Sequence, residues 1–345
     1  PIGYLDDYRP RDITAAEAKQ LDALLLAAVS PDSMATILYT SGTTGEPRGV
    51  VLSHGNLVFN ATSMVRSSQQ WKSDVKLNFL PLSHIYARTS DFYTWIVCGN
   101  QLALAERRET VLDDCHAVRP TWINAVPFFY DRVRRQFLER QSDRERVHLK
   151  DAFGGRIRIL HSGGAPVSPE TADFYQSHGL PLREGYGLTE SSPVISTSRP
   201  GRSKRGTVGK PLDGVEVKIA EDGEILTRGP HVMLGYWHDP WATRSAIRDG
   251  WLHTGDTGHL DAEGFLAVTG RKKEMLVTTG GKNIAPLAIE TRLTEDPLVH
   301  QAIVIGDRRD YLTALIVPDH DAVAALLSRS ELDGRSPAAD FLSDP

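Results

Sequence analysis

Residues 39–49, YTSGTTGEPRG, restrict the fold of this chain more than any other segment. Most of them are Gly, Ser or Thr, and they directly follow a short apolar run at 35–39. Glycines let backbone N–H groups approach an anion closely, hydroxyls add further donors, and the Arg48 guanidinium fork suits phosphate. The composition therefore predicts a phosphate-binding loop after a buried strand, formed by Thr40, Ser41, Gly42, Thr43, Thr44 and Gly45.

Two other interpretations concern the same loop. The Walker loop is excluded, because the pattern G-x-x-x-x-G-K-[ST] occurs nowhere in the chain. A flexible surface linker would have a similar composition, although a linker seldom follows a buried strand directly. The phosphate-binding loop is therefore the stronger hypothesis, and the linker stays open as the alternative.

Strands alternate with helices over the first 190 residues. Apolar spacing and capping signals predict strands at 35–39, 76–80, 121–126 and 156–161, and helices at 56–66, at 127–150 and after Ser168. An earlier helix is predicted from Thr14, with Glu17 completing a capping box. This alternation predicts an α/β fold with a parallel sheet that is covered on both faces.

The pattern changes beyond residue 190. Alternating segments at 215–219 and 224–228 flank Asp222-Gly223, which predicts a β-hairpin, and a further strand is predicted at 265–269. A polar break at 270–273 precedes a predicted helix at 286–295 and strands at 301–305 and 312–317. We therefore expect an incomplete large domain of doubly wound α/β sheets at 1–190, its small β-barrel-like subdomain at 191–270, and a hinge with a partial C-terminal α/β module at 271–345.

Composition excludes several classes of protein. A formal net charge of −5 argues against a nucleic-acid partner, since such proteins normally carry a basic stripe. Two cysteines, Cys98 and Cys115, are too few for a disulfide scaffold or a zinc site, and they predict buried side chains in a reducing, cytoplasmic compartment. No apolar run reaches the roughly 18 residues of a membrane span, so only a peripheral membrane contact stays open.

Six further motifs follow the loop in order. They are LPLSH at 80–84, SGGAP at 162–166, EGYGLTE at 184–190, GWLHTGD at 250–256, GRKKE at 270–274 and GGKNIAP at 280–286. Together with the loop, they resemble the motifs of the adenylate-forming, or AMP-binding, superfamily. The loop departs from the family pattern T-S-G-T-T-G-x-P-K-G only because Arg48 replaces Lys. Within the superfamily, the resemblance is greatest to bacterial long-chain fatty-acid–CoA ligases.

The resemblance implies a role for each matching residue. Tyr186 offers a face to adenine, Asp256 and Arg271 reach the ribose, and Glu190 binds Mg²⁺. Catalytic roles fall to His84, Thr189, Arg48 and Lys273, the last of these as the hinge residue. The remaining nucleotide-binding residues are Gly163, Gly164, Ala165, Gly185 and Gly187. Without the resemblance, these side chains would have ordinary structural explanations, such as a core aromatic for Tyr186 and a turn residue for Asp256.

The implied chemistry has two steps. ATP activates a carboxylic acid, here a medium- or long-chain fatty acid, as acyl-AMP, and the acyl group then passes to the CoA thiol. Two alternatives stay open: a truncated, non-catalytic nucleotide-binding remnant, and an acyl-AMP ligase or adenylation domain that loads a carrier protein. Since full members extend further in both directions, we expect this sequence to be a central fragment that binds AMP or ATP weakly and makes little acyl-AMP.

Overall fold

The fold is taken from a computed structural model, which describes residues 14, 16, 17, 19, 20, 23, 29–40, 47–141, 148–294, 296, 298–320, 322–324, 326 and 327. Near the amino end, the backbone N–H of Glu17 donates to Thr14 Oγ1 and that of Thr14 donates to Glu17 Oε2. The predicted capping box is therefore confirmed. Among the helices within these ranges, none is both long enough and apolar enough to cross a bilayer.

Nineteen strands and eight α-helices are assigned within the described ranges. The strands are β1 Met34–Thr40, β2 Arg48–Ser53, β3 Val75–Asn78, β4 Gln101–Leu104, β5 Trp122–Ala125, β6 Ile159–Ser162, β7 Leu182–Gly187, β8 Val194–Thr197, β9 Lys210–Pro211, β10 Glu216–Ile219, β11 Glu224–Arg228, β12 Gly235–Tyr236, β13 Ile247–Arg248, β14 Trp251–Leu260, β15 Leu266–Arg271, β16 Leu276–Val277, β17 Asn283–Ile284, β18 Val299–Ile305 and β19 Thr313–Pro318. The helices are α1 His54–Ser68, α2 Ile85–Ala87, α3 Thr94–Cys98, α4 Val111–Val118, α5 Pro127–Gln141, α6 Pro169–Ser177, α7 Pro240–Ala246 and α8 Pro286–Leu293.

The largest sheet has seven strands in the order β4-β3-β5-β6-β7-β8-β9. Its first five strands are parallel, and β8 and β9 add to the edge in antiparallel fashion. Strands β5 and β6 are buried along their whole length, as is typical of a parallel sheet covered by helices. Leu77, Ile123 and Leu160 of the sheet pack with Val133 of α5 and Tyr175 of α6. This confirms the predicted parallel α/β core.

The first strand does not belong to that sheet, so the prediction of a single parallel arrangement is wrong there. β1 pairs antiparallel with β2, and β12 pairs with the other edge of β2. The apolar run that follows Arg48 is short and directly adjoins the loop motif, so the sequence pattern does not predict a strand there. In consequence, Thr40 and Arg48 lie directly opposite each other, at the two ends of the predicted phosphate-binding loop.

The prediction of one helix over 127–150 is wrong at its carboxyl end. Helix α5 is assigned only to Pro127–Gln141, and residues 142–147 lie outside the described ranges. His148 begins a series of turns that ends in a 3₁₀ turn at Asp151–Phe153. Leu149 and Phe153 of this turn region are buried in the main core, so the end of the segment packs inward and is not part of a charged surface helix.

The region beyond residue 190 is rich in antiparallel strands, as predicted. β10 and β11 form the expected hairpin, and β11, β13 and β15 all pair with the ten-residue strand β14. Beyond Arg271, α8 and the antiparallel pair β18–β19 match the predicted helix and strands closely. The guanidinium of Arg135, on α5, donates to Asp319 at 2.8 Å. This hydrogen bond connects the residue that follows β19 to a helix that packs on the seven-stranded sheet.

A fully buried polar cluster lies under the segment that follows residue 84. Lys76 Nζ, on β3, donates to Ser90 O at 2.9 Å, and Asp91 accepts from Asn78 and Asn124. Burial lowers the pKa of Lys76 to about 8, and burial also raises the pKa of Asp91. These bonds hold a π-helical turn, Arg88–Tyr93, against the sheet. Cys98 and Cys115 are both buried, as predicted.

Candidate active site

The predicted adenine-binding residues lie where β6 and β7 end. Gly163, Gly164 and Ala165 directly follow β6, and 185–187 are the last residues of β7. Ligands of open parallel sheets bind at this carboxyl edge. Two of the glycines are required by close contacts, because a Cβ at Gly187 would lie 1.9 Å from Pro193 O and one at Gly185 would lie 2.9 Å from His161 Cε1.

Tyr186 and Asp256 are joined directly, although they lie on different sheets. The Tyr186 hydroxyl donates to Asp256 Oδ2 at 2.7 Å, and Arg271 Nε lies 3.3 Å from Asp256 Oδ1. Asp256 and Arg271 are cross-strand partners in the β14–β15 pair, which explains their approach. Burial raises the pKa of Asp256, and the hydrogen bond from Tyr186 and the charge of Arg271 oppose that rise. Three residues predicted to bind the nucleotide thus form one cluster.

The turn that presents Asp256 is fixed by its neighbours. Gly255, with φ of 74°, donates its N–H to Glu224 Oε1 at 3.0 Å, and Thr254 Oγ1 accepts from the Asp256 N–H at 3.1 Å. Glu224 also accepts from Lys272 Nζ at 3.0 Å, next to the hinge predicted at Lys273. These contacts fix the backbone from which the Asp256 side chain projects.

Thr189 and Glu190 lie in a 3₁₀ turn, Thr189–Ser191, directly after β7. Glu190 Oε1 accepts a hydrogen bond from the Tyr236 hydroxyl at 2.8 Å. The Tyr236 ring in turn lies under the Arg48 guanidinium, 5.5 Å from its carbon. Glu190 follows Tyr186 by only four residues, and its charge also raises the pKa of Asp256.

The other predicted site residues are placed less centrally. His84 is exposed and caps the short helix α2, where its Nδ1 accepts from the Tyr86 N–H at 3.2 Å. Lys273 is exposed in the 3₁₀ turn Lys272–Glu274 that follows β15. Thr40 ends β1 opposite Arg48. Five predicted phosphate-binding residues, Ser41, Gly42, Thr43, Thr44 and Gly45, lie outside the described ranges.

Sequence reasoning missed two titratable residues of this region. Tyr236 was not singled out, because a lone tyrosine after a glycine carries no motif of its own. Glu184 precedes the glycines of β7, and burial raises the pKa of its carboxyl to about 7. Its place at the head of the EGYGLTE motif could have marked it as a candidate.

The arrangement fits a Mg²⁺ ion that is bound by Glu190 and by phosphate together. Glu190 Oε2 receives no hydrogen bond from any residue in the described ranges, whereas Oε1 is occupied by Tyr236. In the same ranges, no group of three His, Cys, Asp or Glu side chains could hold a metal ion by itself. Mg²⁺ is usually bound through one or two carboxylates and the substrate's phosphates, so Glu190 would supply the carboxylate and the bound nucleotide the phosphate oxygens.

Comparisons with known proteins show which sequences and structures this chain resembles. The chain is 34% identical to the long-chain-fatty-acid–CoA ligase FadD15 of Mycobacterium bovis, over 93% of this chain and 60% of that protein. It superposes on o-succinylbenzoate CoA synthetase (MenE) from Bacillus subtilis in complex with the acyl-adenylate intermediate OSB-AMP, with a TM-score of 0.74, 31% identity, and coverage of 90% of this chain and 65% of that one. The same enzyme in complex with ATP and magnesium ion gives a TM-score of 0.72 at 31% identity, over 87% of this chain and 64% of that one.

The chain therefore spans about three fifths of the length of these relatives. The family model for AMP-binding enzymes matches residues 4–237, and the model for the C-terminal domain of AMP-binding enzymes matches residues 273–333. The chain belongs to the AMP-binding enzyme family.

Proposed function

We propose that this chain acts as an ATP-dependent, AMP-forming acyl-CoA ligase. The observation that carries the proposal is the cluster of Tyr186, Asp256 and Arg271 at the carboxyl edge of the large sheet, beside Glu190. An aromatic face, a ribose acceptor and a carboxylate with one unoccupied oxygen together suit Mg²⁺-ATP. Identity to a CoA ligase supports the same activity for this chain.

In this proposal, each residue acts on a separate part of the substrates. Tyr186 stacks on adenine, and Asp256 accepts the ribose hydroxyls, with Arg271 beside it. Arg48 and Thr189 bind phosphate, and the cation held by Glu190 would offset negative charge that develops at phosphorus. His84 lies toward the acyl carboxylate, and Lys273 is the hinge residue. The remaining nucleotide contacts would come from Thr40, Ser41, Gly42, Thr43, Thr44, Gly45, Gly163, Gly164, Ala165, Gly185 and Gly187.

We further propose that the acid is a medium- or long-chain fatty acid, that CoA accepts it and that the reaction takes place in the cytoplasm. The name of the FadD15 relative supports the substrate class. A carrier protein as acceptor is less well supported, because the relatives described above are CoA ligases or synthetases by name. The domain boundaries at 190 and 270 stay part of this proposal, supported by the antiparallel strands between them.

The test separates the two half-reactions on the purified chain. Pyrophosphate release is measured with Mg²⁺-ATP and either a long-chain or a two-carbon acid, and thioester formation is measured from preformed acyl-AMP with and without CoA. We expect slow release that depends on the long-chain acid, in keeping with little acyl-AMP formation by this chain, and thioester formation from acyl-AMP that depends on CoA. Nucleotide binding without either half-reaction would support the non-catalytic remnant instead.

A further inference from the structure

Tyr236 lies between the two charged groups that the proposed function assigns to the metal and to phosphate. It belongs to β12, the short strand that pairs with β2, and its Cα partner there is Val50. Its backbone N–H donates to Thr243 Oγ1 at 2.9 Å, and the next residue, Trp237, donates to Gly49 O at 2.7 Å. The main chain around Tyr236 is therefore anchored from both sides, and its side chain projects from a fixed base.

The side chain of Tyr236 contacts both charged groups. The hydroxyl donates to Glu190 Oε1 at 2.8 Å, and the ring faces the Arg48 guanidinium. Burial, together with the charge and the hydrogen bond of Glu190, raises the pKa of the Tyr236 phenol, whereas the charge and a side-chain hydrogen bond of Arg48 lower it, so both charged groups act on the same phenol. The phenol is therefore a protonated donor at neutral pH.

Glu190 and Arg48 do not form an ion pair with each other, nor does Arg48 pair with any carboxylate in the described part of the chain. Each of them contacts Tyr236 instead, and a carboxylate and a guanidinium that meet directly form a strong, often bidentate pair. Such a pair would neutralise the carboxylate that a hard cation needs and the guanidinium that phosphate needs. The backbone of Glu190 is fixed separately, since its carbonyl accepts from the Met233 N–H at 2.9 Å.

We propose that Tyr236 is a positioning residue that keeps Glu190 and Arg48 apart and directed at different parts of Mg²⁺-ATP. Its hydroxyl fixes one oxygen of Glu190 and leaves the second oxygen for the cation. Its ring packs against the guanidinium of Arg48. This inference rests on the proposed function, because it takes Glu190 as the metal-binding carboxylate. It adds a specific role for the hydroxyl and a separate role for the ring.

The experiment measures ATP binding by calorimetry on the 345-residue chain, with EDTA and across a Mg²⁺ titration. Tyr236→Phe removes only the hydroxyl, so the Mg²⁺ concentration at half-saturation should rise about threefold to tenfold, with ATP affinity in EDTA within about twofold of the parent. Tyr236→Leu also removes the ring, so it should weaken ATP binding in EDTA as well. The matched control is Tyr175→Phe, whose hydroxyl donates to Tyr130 O at 3.0 Å within the core.

The outcomes separate this inference from the proposed function. The positioning role would be overturned, and the metal site left intact, by one pair of results. The Mg²⁺ concentration at half-saturation would stay within twofold of the parent in Tyr236→Phe but would rise in Glu190→Gln. A Tyr236→Phe titration shifted to lower Mg²⁺ would also overturn it, because the hydroxyl would then compete with the cation. An unshifted Glu190→Gln would remove the metal assignment and this inference together. An equal shift in Tyr175→Phe would mean that lost stability, not positioning, causes the effect.

Discussion

The Tyr186 hydroxyl donates a 2.7 Å hydrogen bond to Asp256 and thereby joins the last residues of β7 to the central strand of a different sheet. The bond crosses 70 residues of sequence. Since both side chains are mostly shielded from water, the pair links the two sheets at the edge where the nucleotide is proposed to bind.

This bond predicts energetic coupling between the two residues. Tyr186→Phe, Asp256→Ala and the double variant form a mutant cycle, and urea unfolding should give a coupling energy of about 1–3 kcal/mol, as expected for a hydrogen bond to a charged acceptor. Free energies of unfolding that simply add would show that the hydroxyl and carboxylate do not interact in solution.

The same carboxylate predicts which part of the ligand is lost. Asp256→Ala should weaken AMP binding about tenfold or more, since one lost hydrogen bond to a charged group is worth roughly 1.5–3 kcal/mol. Adenine alone should bind as it does to the parent, because the lost contacts are to ribose. Calorimetry with both ligands decides this, and equal weakening would contradict a ribose contact.

Glu184 predicts a pH-dependent stability. Its pKa is raised to about 7 in the folded chain, so the folded state binds more protons than the unfolded state between the ordinary carboxyl pKa and 7. Stability from this group is therefore lost as the pH rises through that window. Glu184→Gln keeps a hydrogen-bond acceptor without the charge. The free energy of unfolding of this variant minus that of the parent should therefore be larger at pH 8 than at pH 5, by on the order of 1 kcal/mol.

Urea unfolding at the two pH values gives the comparison. Glu109→Gln, a change at an exposed position before α4, is the control. A Glu184→Gln difference that is the same at pH 5 and pH 8 would show that the carboxyl titrates normally.

The close contact at Gly187 predicts a large loss of stability on adding one methyl group. Gly187→Ala would place Cβ 1.9 Å from Pro193 O, so the backbone must shift, and we expect a loss of about 3 kcal/mol or more. Gly201→Ala is the matched control: Gly201 has φ of 68° with open space around it, and should lose only about 1 kcal/mol. Similar losses for the two variants would exclude the contact as the cause.

Arg48→Lys should keep ATP affinity within about threefold, because lysine delivers the same charge to phosphate and also binds aromatic faces. Arg48→Met, which removes the charge, should weaken ATP binding much more. Calorimetry in EDTA isolates this effect from the metal. A tenfold loss with lysine would show that the planar guanidinium itself is needed.

The sequence was informative where local chemistry decides structure. The β10–β11 hairpin followed from Asp222-Gly223 between alternating segments, and the buried parallel strands followed from their apolar runs. It was uninformative where a distant partner decides. β2 becomes a strand by pairing with β1 and β12, and Tyr236 donates to Glu190 across 46 residues. Lys76 is tolerated in the buried strand β3 because Ser90 O and Thr94 Oγ1 accept its hydrogen bonds. The local sequence pattern does not predict such pairings, because each partner lies far away in the sequence.

Strand β14 pairs with β11, β13 and β15, and it also carries Asp256. Amides in the middle of such a strand exchange with solvent only when the surrounding sheet opens, whereas the edge strand β10 can detach alone. In native-state hydrogen exchange, the amides near Asp256 should thus be among the slowest of that sheet. The proposed ribose acceptor would then be released only by cooperative opening, and not by fraying, so that nucleotide would bind against a preformed acceptor.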